Sequence, residues 1–411
     1  MEKFFADLHV HIGRAGGDMP VKITAARSLT VAGILEECMV RKGIDIVGIV
    51  DTSSPHVQAD LQEMIDGGNL VKMPGGGLRY KDKVTLITGG EVETTDRVID
   101  FNGNLRARSA HCLCFFPRLS QIREFSREMS RPGRIKNVGL SSQKCNLTMQ
   151  ELWKIVDWIG GIMIPAHAFT PHKGVYGSCV RSIRELLTEE AWAAVAAVEL
   201  GLSSDSYYAD MISELGDKTF VSNSDAHSLL KIGREYNIIC MELPNFEELV
   251  KALHRQDGRG VMGNFGLDPK IGKYHRTYCE ECNFITDALP PVTACTECGC
   301  KVDGRKVVMG VIDRIYQIRD LEIPTPPKHR PYYKHQIPLA NLPGVGKKTL
   351  DRLLRVFTEM EVLHKVNRLE LTGLVGEKTS ELIILARQGK LELSAGGGGY
   401  YGKVKGRKGD K

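Results

Sequence analysis

Through roughly the first 230 residues, apolar and β-branched side chains gather into short runs that each carry a His, an Asp or a Glu near one end. Seven runs have this form: Phe4 to His11, Ile44 to Asp51, Val84 to Glu91, Ala110 to Phe116, Ile162 to His167, Ala194 to Glu199 and Thr219 to His227. Their length and apolar character predict buried strands. Between several of them, as in Ala32 to Met39 and Met149 to Val156, apolar residues recur at spacings of three and four, which predicts helices. Alternating strand and helix implies an α/β fold with parallel strands and covering helices. In the barrel form of that architecture the strand ends converge on one mouth, where such enzymes place their chemistry.

The pattern changes beyond residue 265. The expected units are 1–265 as the strand-and-helix domain, 270–315 around a cluster of cysteines, and a proline-rich connector at 320–336. A helical module follows at 337–390, and a glycine-rich basic tail at 391–411. The connector, with Pro324, Pro326, Pro327 and Pro331, should be stiff and extended. In the tail Lys403, Lys405, Arg407, Lys408 and Lys411 stand against Asp410 alone, and a mobile segment is expected there, open to a repair or replication protein. No repeat of solenoid length is expected.

Composition narrows the class. A chain of 411 residues with 42% hydrophobic and 26% charged residues has ample material for two or three folded domains, which excludes wholesale disorder. No run is long and apolar enough for a membrane helix, and the first residues enter a strand without a cleavable signal pattern. A cytoplasmic protein without membrane contact is therefore expected. The formal charge of +5 permits a polyanionic partner without requiring one. Eleven cysteines in a reducing compartment do not suggest a disulfide scaffold. Cys38, Cys112, Cys114, Cys145, Cys179 and Cys240 are scattered through apolar stretches and should pack in cores, whereas Cys279, Cys282, Cys295, Cys298 and Cys300 crowd together and read as metal ligands.

His9 and His11 lie two apart in a strand, so both rings project from one face toward a common ion. Asp225 and His227 repeat that geometry. Glu91, His111 and His167 add a carboxylate and two imidazoles at the same expected mouth. So many buried ionisable groups require compensating cations. Mixed nitrogen and oxygen donors suit two or three divalent ions such as Zn, Mn, Fe or Mg, with Glu91 the most suitable bridge. Glu91, Asp225 and His227 are the candidates for acting on the substrate. For the second strand either Asp51 or His56 supplies a ligand. Asp18 is a further candidate, or a solvated turn residue, and Glu199 should support the site from behind.

These motifs, His9-Val10-His11, Glu91, His111, His167 and Asp225-Ala226-His227 in this order, resemble the metal-binding motifs of the polymerase and histidinol phosphatase (PHP) superfamily. The resemblance covers about residues 1–265 and implies a distorted seven-stranded PHP barrel that hydrolyses phosphoesters with two or three metals. The second motif departs from the family's Thr-Asp-His, since Thr52 follows Asp51.

Cys279-Glu280-Glu281-Cys282 and Cys295-Thr296-Glu297-Cys298 have the spacing of a ribbon closed by one structural zinc, with Cys300 an alternative to Cys298. In Leu342 to Leu350, Gly344 and Gly346 permit a tight turn, and Lys347, Lys348 and Thr349 open a helix whose N–H groups suit a phosphate. This stretch resembles the hairpin of helix-hairpin-helix modules that grip the DNA backbone. It lacks the first glycine of an ATP-binding phosphate loop. Arg123, Arg127, Arg131, Arg134 and Lys136 form a further basic stretch, diluted by Glu124 and Glu128.

Barrel, ribbon, hairpin and a terminal Gly-Gly-Gly-Gly-Tyr-Tyr-Gly together are similar in order to the endonuclease Q family. That resemblance implies a metal-dependent DNA repair endonuclease cutting on the 5′ side of deaminated bases (deoxyuridine, deoxyinosine, xanthine) and of abasic sites, in double- or single-stranded DNA. The lesion base would be turned out into a pocket, for which Phe169 and Tyr176 are the stacking candidates. Two other readings stand beside it. One is a PHP-type small-molecule phosphatase or 3′-5′ exonuclease, and the other a non-catalytic DNA-binding protein.

Overall fold

The structure, a computed structural model, describes residues 1–99, 103–302, 306–396 and 398–404. All seven predicted runs contain strands: β1 (Glu2–Val10), β2 (Ile46–Ile49), β3 (Val84–Glu93), then, after a hairpin of β4 (Asp96–Ile99) and β5 (Leu105–Arg108), β6 (His111–Phe116), β7 (Ile162–Pro165), β8 (Ala197–Glu199) and β9 (Thr219–Val221). β10 (Tyr236–Met241), β11 (Gly260–Gly266) and β12 (Tyr333–His335) complete one mixed sheet in the order β7-β6-β3-β2-β1-β10-β11-β12. β8 and β9 pair separately, and the end of β9's segment returns to β1 through a parallel bridge between Val10 and Ala226. Ala168 N–H donates to Glu199 O at 2.8 Å, which ties the end of β7's segment to β8.

The expectation of uniformly parallel strands is corrected. β1, β2 and β3 are parallel neighbours, but β6 runs antiparallel to both β3 and β7. The chain between Glu93 and His111 is a hairpin, so it comes back at the end it left. Between Phe116 and Ile162 it forms two packed helices, α1 (Leu119–Met129) and α2 (Met149–Ile159), which again return it to the starting end. α2 begins with a reciprocal cap between Thr148 and Glu151 and stops at Gly160, whose φ of 78° a side chain would resist. β10 and β11 are strands the apolar runs did not announce.

The cysteine segment forms a small three-stranded sheet from Tyr278–Cys279, Phe284–Ile285 and Val307–Val308. The connector is not independent of the first unit, because β12 lies parallel to β11. The helical segment contains α3 (Lys347–Leu353), α4 (Glu359–His364), α5 (Arg368–Val375) and α6 (Glu377–Arg387). Its Leu339, Leu353 and Met360 share one apolar core with Ile34 and Ile44. Buried Lys42 pairs with Glu359 at 2.6 Å across that junction, and Arg41 reaches Asp351 at 2.9 Å. In the tail Leu393–Ser394 pairs with Lys403–Val404, and Tyr401 lies between these strands. Lys405, Arg407, Lys408 and Lys411 lie outside the described residues. Among the described residues no helix is long and apolar enough to cross a membrane.

Candidate active site

Two groups of side chains that could each hold a metal meet at the expected mouth. His9, His11 and Asp225 form one, and Glu91, His111 and His167 the other. β1 supplies His9, and His11 follows just beyond its last residue, Val10; the two ring centres are 5.1 Å apart. Glu91 lies between the groups. Its Oε1 is 2.8 Å from His111 Nδ1, 3.4 Å from His167 Nε2 and 3.6 Å from His9 Nε2, while Oε2 is 3.6 Å from His11 Nε2. Asp225 Oδ1 is 3.3 Å from His11 Nε2 and 3.7 Å from His9 Nε2.

Those distances are a test for cations. His9 Nε2 and His11 Nε2 are fully buried and have no hydrogen-bond partner among the described residues. The carboxylates around them stand at 3.3–3.7 Å, mostly beyond hydrogen-bond reach. Nitrogen and oxygen donors aimed at one gap fit divalent metals. Protonation equilibria say the same. Burial opposes a charge on His9, yet Glu199, Asp225 and Glu91 together lift it to about 10, and Glu91 similarly lifts His111, against burial, to about 9. Burial likewise opposes ionisation of Glu91, but His111 and Lys22 hold its carboxyl well below the ordinary range. The cluster draws in positive charge wherever it finds it.

The rings of His9 and His11 are each held from behind. Glu199 receives His9 Nδ1 at 3.1 Å from both oxygens, and also accepts His167 N–H and Asn223 Nδ2, each at 2.7 Å. Asp51 Oδ2 receives His11 Nδ1 at 3.0 Å and Ile12 N–H at 2.7 Å. These contacts fix which ring nitrogen faces the cluster. Of the two second-strand candidates, Asp51 therefore reaches the site through His11. His56 is exposed on the first turn of the helix Pro55–Asp66 and belongs to neither group. Asp18 is an exposed turn residue beside Arg14.

His167 and Asp225 have φ values of 30° and 45°, a left-handed backbone that non-glycine residues rarely adopt. His167 is held there: its N–H is bound by Glu199, and its Cβ lies only 2.9 Å from where a Cβ on Gly201 would sit. His227 closes the group, with its ring 4.7 Å from that of His11 and its Nδ1 3.0 Å from the Asp225 carbonyl oxygen. Burial drives its pKa down to about 4 against the pull of Asp225, so the ring is neutral at pH 7.

A cavity of about 440 Å³ opens beside the cluster, lined by His111, His167, Asp225 and His227. Its rim carries Lys173, Lys231, Arg234 and Lys273, with the rings of Tyr274 and Tyr401. Arg234 donates to Tyr401 Oη at 2.9 Å, and Lys273 Nζ stands 4.9 Å from the centre of that ring. Tyr401 comes from the tail loop and Tyr274 from the approach to the cysteine unit, so three sequence-distant segments build the rim. Phe169 and Tyr176 do not. Both are buried and stack on each other at 5.5 Å, which spends their faces on the core and corrects their assignment to a base pocket.

Sequence reasoning also missed Lys22 and Ser142. Lys22 Nζ is 3.4 Å from Glu91 Oε2, and Ser142 Oγ donates to the same oxygen. Both sit on loops without any local signal. Outside the mouth, the Sγ atoms of Cys279, Cys282, Cys295 and Cys298 cluster as in a four-thiolate zinc site, with pairs at 3.5 and 3.6 Å. Cys300 is not in the group. Gly344 has φ of 79°, Gly346 precedes α3, and Gly346, Lys347 and Lys348 are exposed with Thr349 half-buried beside them. In the basic stretch, Arg131 and Arg134 are paired with Glu128.

No family model matches the chain. Among proteins of known sequence it is 45% identical over 407 residues to the uncharacterized protein YqxK of Bacillus subtilis, covering 98% of this chain and 100% of that one. It is 39% identical over 228 residues to the uncharacterized protein MJ0043 of Methanocaldococcus jannaschii, spanning 50% of this chain and 28% of that longer one. Among solved structures it is similar to the lesion-specific endonuclease PfuEndoQ of Pyrococcus furiosus, with a TM-score of 0.80, 31% identity, and 98% and 95% of the two chains covered. It is equally similar to endonuclease Q in complex with a 27-mer duplex substrate carrying an abasic lesion at the active site, with a TM-score of 0.81, 30% identity, and 99% and 97% covered. The chain belongs to the endonuclease Q family and is a DNA endonuclease, a hydrolase of ester bonds.

Proposed function

We propose that this protein hydrolyses the DNA phosphodiester on the 5′ side of deaminated bases and abasic sites. The observation that carries this reading is Glu91, a buried carboxylate of one metal-ligand group that also faces His9 and His11 of the other at 3.6 Å, beside a cavity rimmed by cations and aromatic rings. His9, His11 and Asp225 would hold one divalent ion and Glu91, His111 and His167 another. When bound, such ions activate water and neutralise phosphoryl charge. The chain's own groups do the rest. Glu91 keeps the two ligand groups at one spacing. Neutral His227, held at Nδ1 by the Asp225 carbonyl oxygen, would accept a hydrogen bond at Nε2. Lys173, Lys231, Arg234 and Lys273 hold the flanking phosphates, and Tyr274 and Tyr401 present rings at the cavity where an extruded nucleotide would sit.

The bonds that link β7 to β8 and β9 to β1 support reading the first unit as a distorted seven-stranded barrel. The turn at Gly344 to Thr349 supports a helix-hairpin-helix-like grip on the duplex backbone, and the cysteine cluster a structural zinc. Duplexes carrying one deoxyuridine, deoxyinosine or abasic site, incubated with Mg²⁺ or Mn²⁺, test the proposal. The wild type should nick each on the 5′ side of the lesion, and His9→Ala and Asp225→Ala should not. Cleavage of phosphomonoesters alone, or nicking unaffected by either substitution, would overturn it.

A further inference from the structure

Between Glu93 and His111 the chain leaves the metal cluster and comes back to it as the β4-β5 hairpin. The base of this hairpin is fixed. Buried Asp96 accepts Thr94 Oγ1 at 2.8 Å and Met149 N–H at 3.0 Å, and Val98 sits in the main apolar core. The outer end is built otherwise. Ile99 is 69% and Leu105 62% exposed, and the register sets them directly opposite each other. Opposed residues share a face, so among the described residues the hairpin presents an exposed apolar pair. Exposed Arg97, Arg106 and Arg108 accompany that pair along the two strands. Ile99 lies six positions beyond Glu93, whose carboxylate is 3.7 Å from His111, and at about 3.3 Å per residue the pair stands within about 20 Å of Glu93.

We propose that this hairpin is a wedge for duplex DNA. Ile99 and Leu105 enter the base stack close to the phosphodiester that is cut, while the arginines hold the phosphates on either side. The proposal rests on the nuclease reading above and adds the element that opens the helix. Arginines beside an apolar pair match a polyanion with an apolar interior, and side chains of this type are the ones that part base steps. The pair is far smaller than a stable protein–protein interface requires. Parting a base step next to the cavity would release the target nucleotide toward Tyr274 and Tyr401.

The test is an Ile99→Ala/Leu105→Ala double variant, whose exposed positions leave the fold and metal content unchanged. It is assayed with the wild type on two substrates bearing the same lesion, one fully paired and one with the lesion in an unpaired bubble. If the hairpin parts the stack, paired DNA is cut at least about tenfold more slowly by the variant, while the bubble is cut at the wild-type rate. A 2-aminopurine beside the lesion should brighten on binding the wild type and stay dark with the variant. Equal loss on both substrates, or no loss on either, overturns the wedge. A wild type inert on both substrates would instead overturn the nuclease reading beneath it.

Discussion

Glu199→Gln replaces one oxygen of the carboxylate behind His9 by an amide nitrogen of nearly the same size. In the wild type both oxygens face donors: Oε1 accepts Asn223 Nδ2, Oε2 accepts His167 N–H, and His9 Nδ1 lies 3.1 Å from each. Either orientation of the glutamine therefore sets N–H against N–H. Asn223 cannot turn over without releasing Leu8 N–H, which its Oδ1 accepts at 2.9 Å, and His167 N–H belongs to the backbone. An unmatched buried donor costs about 1–3 kcal/mol, and the anionic partner of His9 is lost as well. Part of that falls on folding, and part on the orientation of the ring that faces the cluster. Substitution of such supporting groups lowers metal affinity roughly 10- to 100-fold, about 1.4–2.8 kcal/mol. Competition titration of Mn²⁺ or Zn²⁺ against a chelating dye should register the loss, with circular dichroism unchanged. Affinity within about twofold of wild type would refute the claim that Glu199 orients a ligand.

Burial raises the Glu235 carboxyl to about 8, above its ordinary 4.5, although Leu267 N–H donates to Oε1 at 2.8 Å. Ionisation then favours the unfolded chain first, so wild-type stability should fall between about pH 4.5 and 8 and level off above; Glu235→Gln should flatten that slope in urea melts at pH 5, 7 and 9. Cobalt substituted into the cysteine cluster should show thiolate charge-transfer bands that change in Cys279→Ser and Cys298→Ser but not in Cys300→Ser, which lies outside the group. Lys347→Ala/Lys348→Ala should weaken DNA binding uniformly across sequences and reduce the slope of log affinity against log salt by up to about 2, measured by fluorescence anisotropy. An unchanged slope would remove these lysines from the interface.

Much of this protein is legible one residue at a time. Strand periodicity places His9 and His11 on one face, paired CxxC spacing yields the thiol cluster, and apolar runs locate the seven strands. Those signals are local, because a side chain's direction follows from its own strand and a zinc knuckle closes within one turn. Other features have no local signal. The direction of β6 depends on whether the intervening chain forms one crossing element or a returning pair, and an apolar run looks the same either way. Phe169 and Tyr176 have the composition of a base platform, but core packing claims both rings.

Asp51, Glu199, Lys22 and Ser142 act through partners 40 to 190 residues away, or on a shared carboxylate, so their roles exist only once β1, β3 and β8 are brought together. The same holds for Tyr401, carried to the rim by a tail loop whose composition alone suggested a free end. The sequence by itself determined which donors this protein owns and which strands present them. Tertiary structure decided which donors meet and which of their nitrogens and oxygens face the cluster, because hydrogen bonds between distant segments orient a ring that its own backbone leaves free to turn.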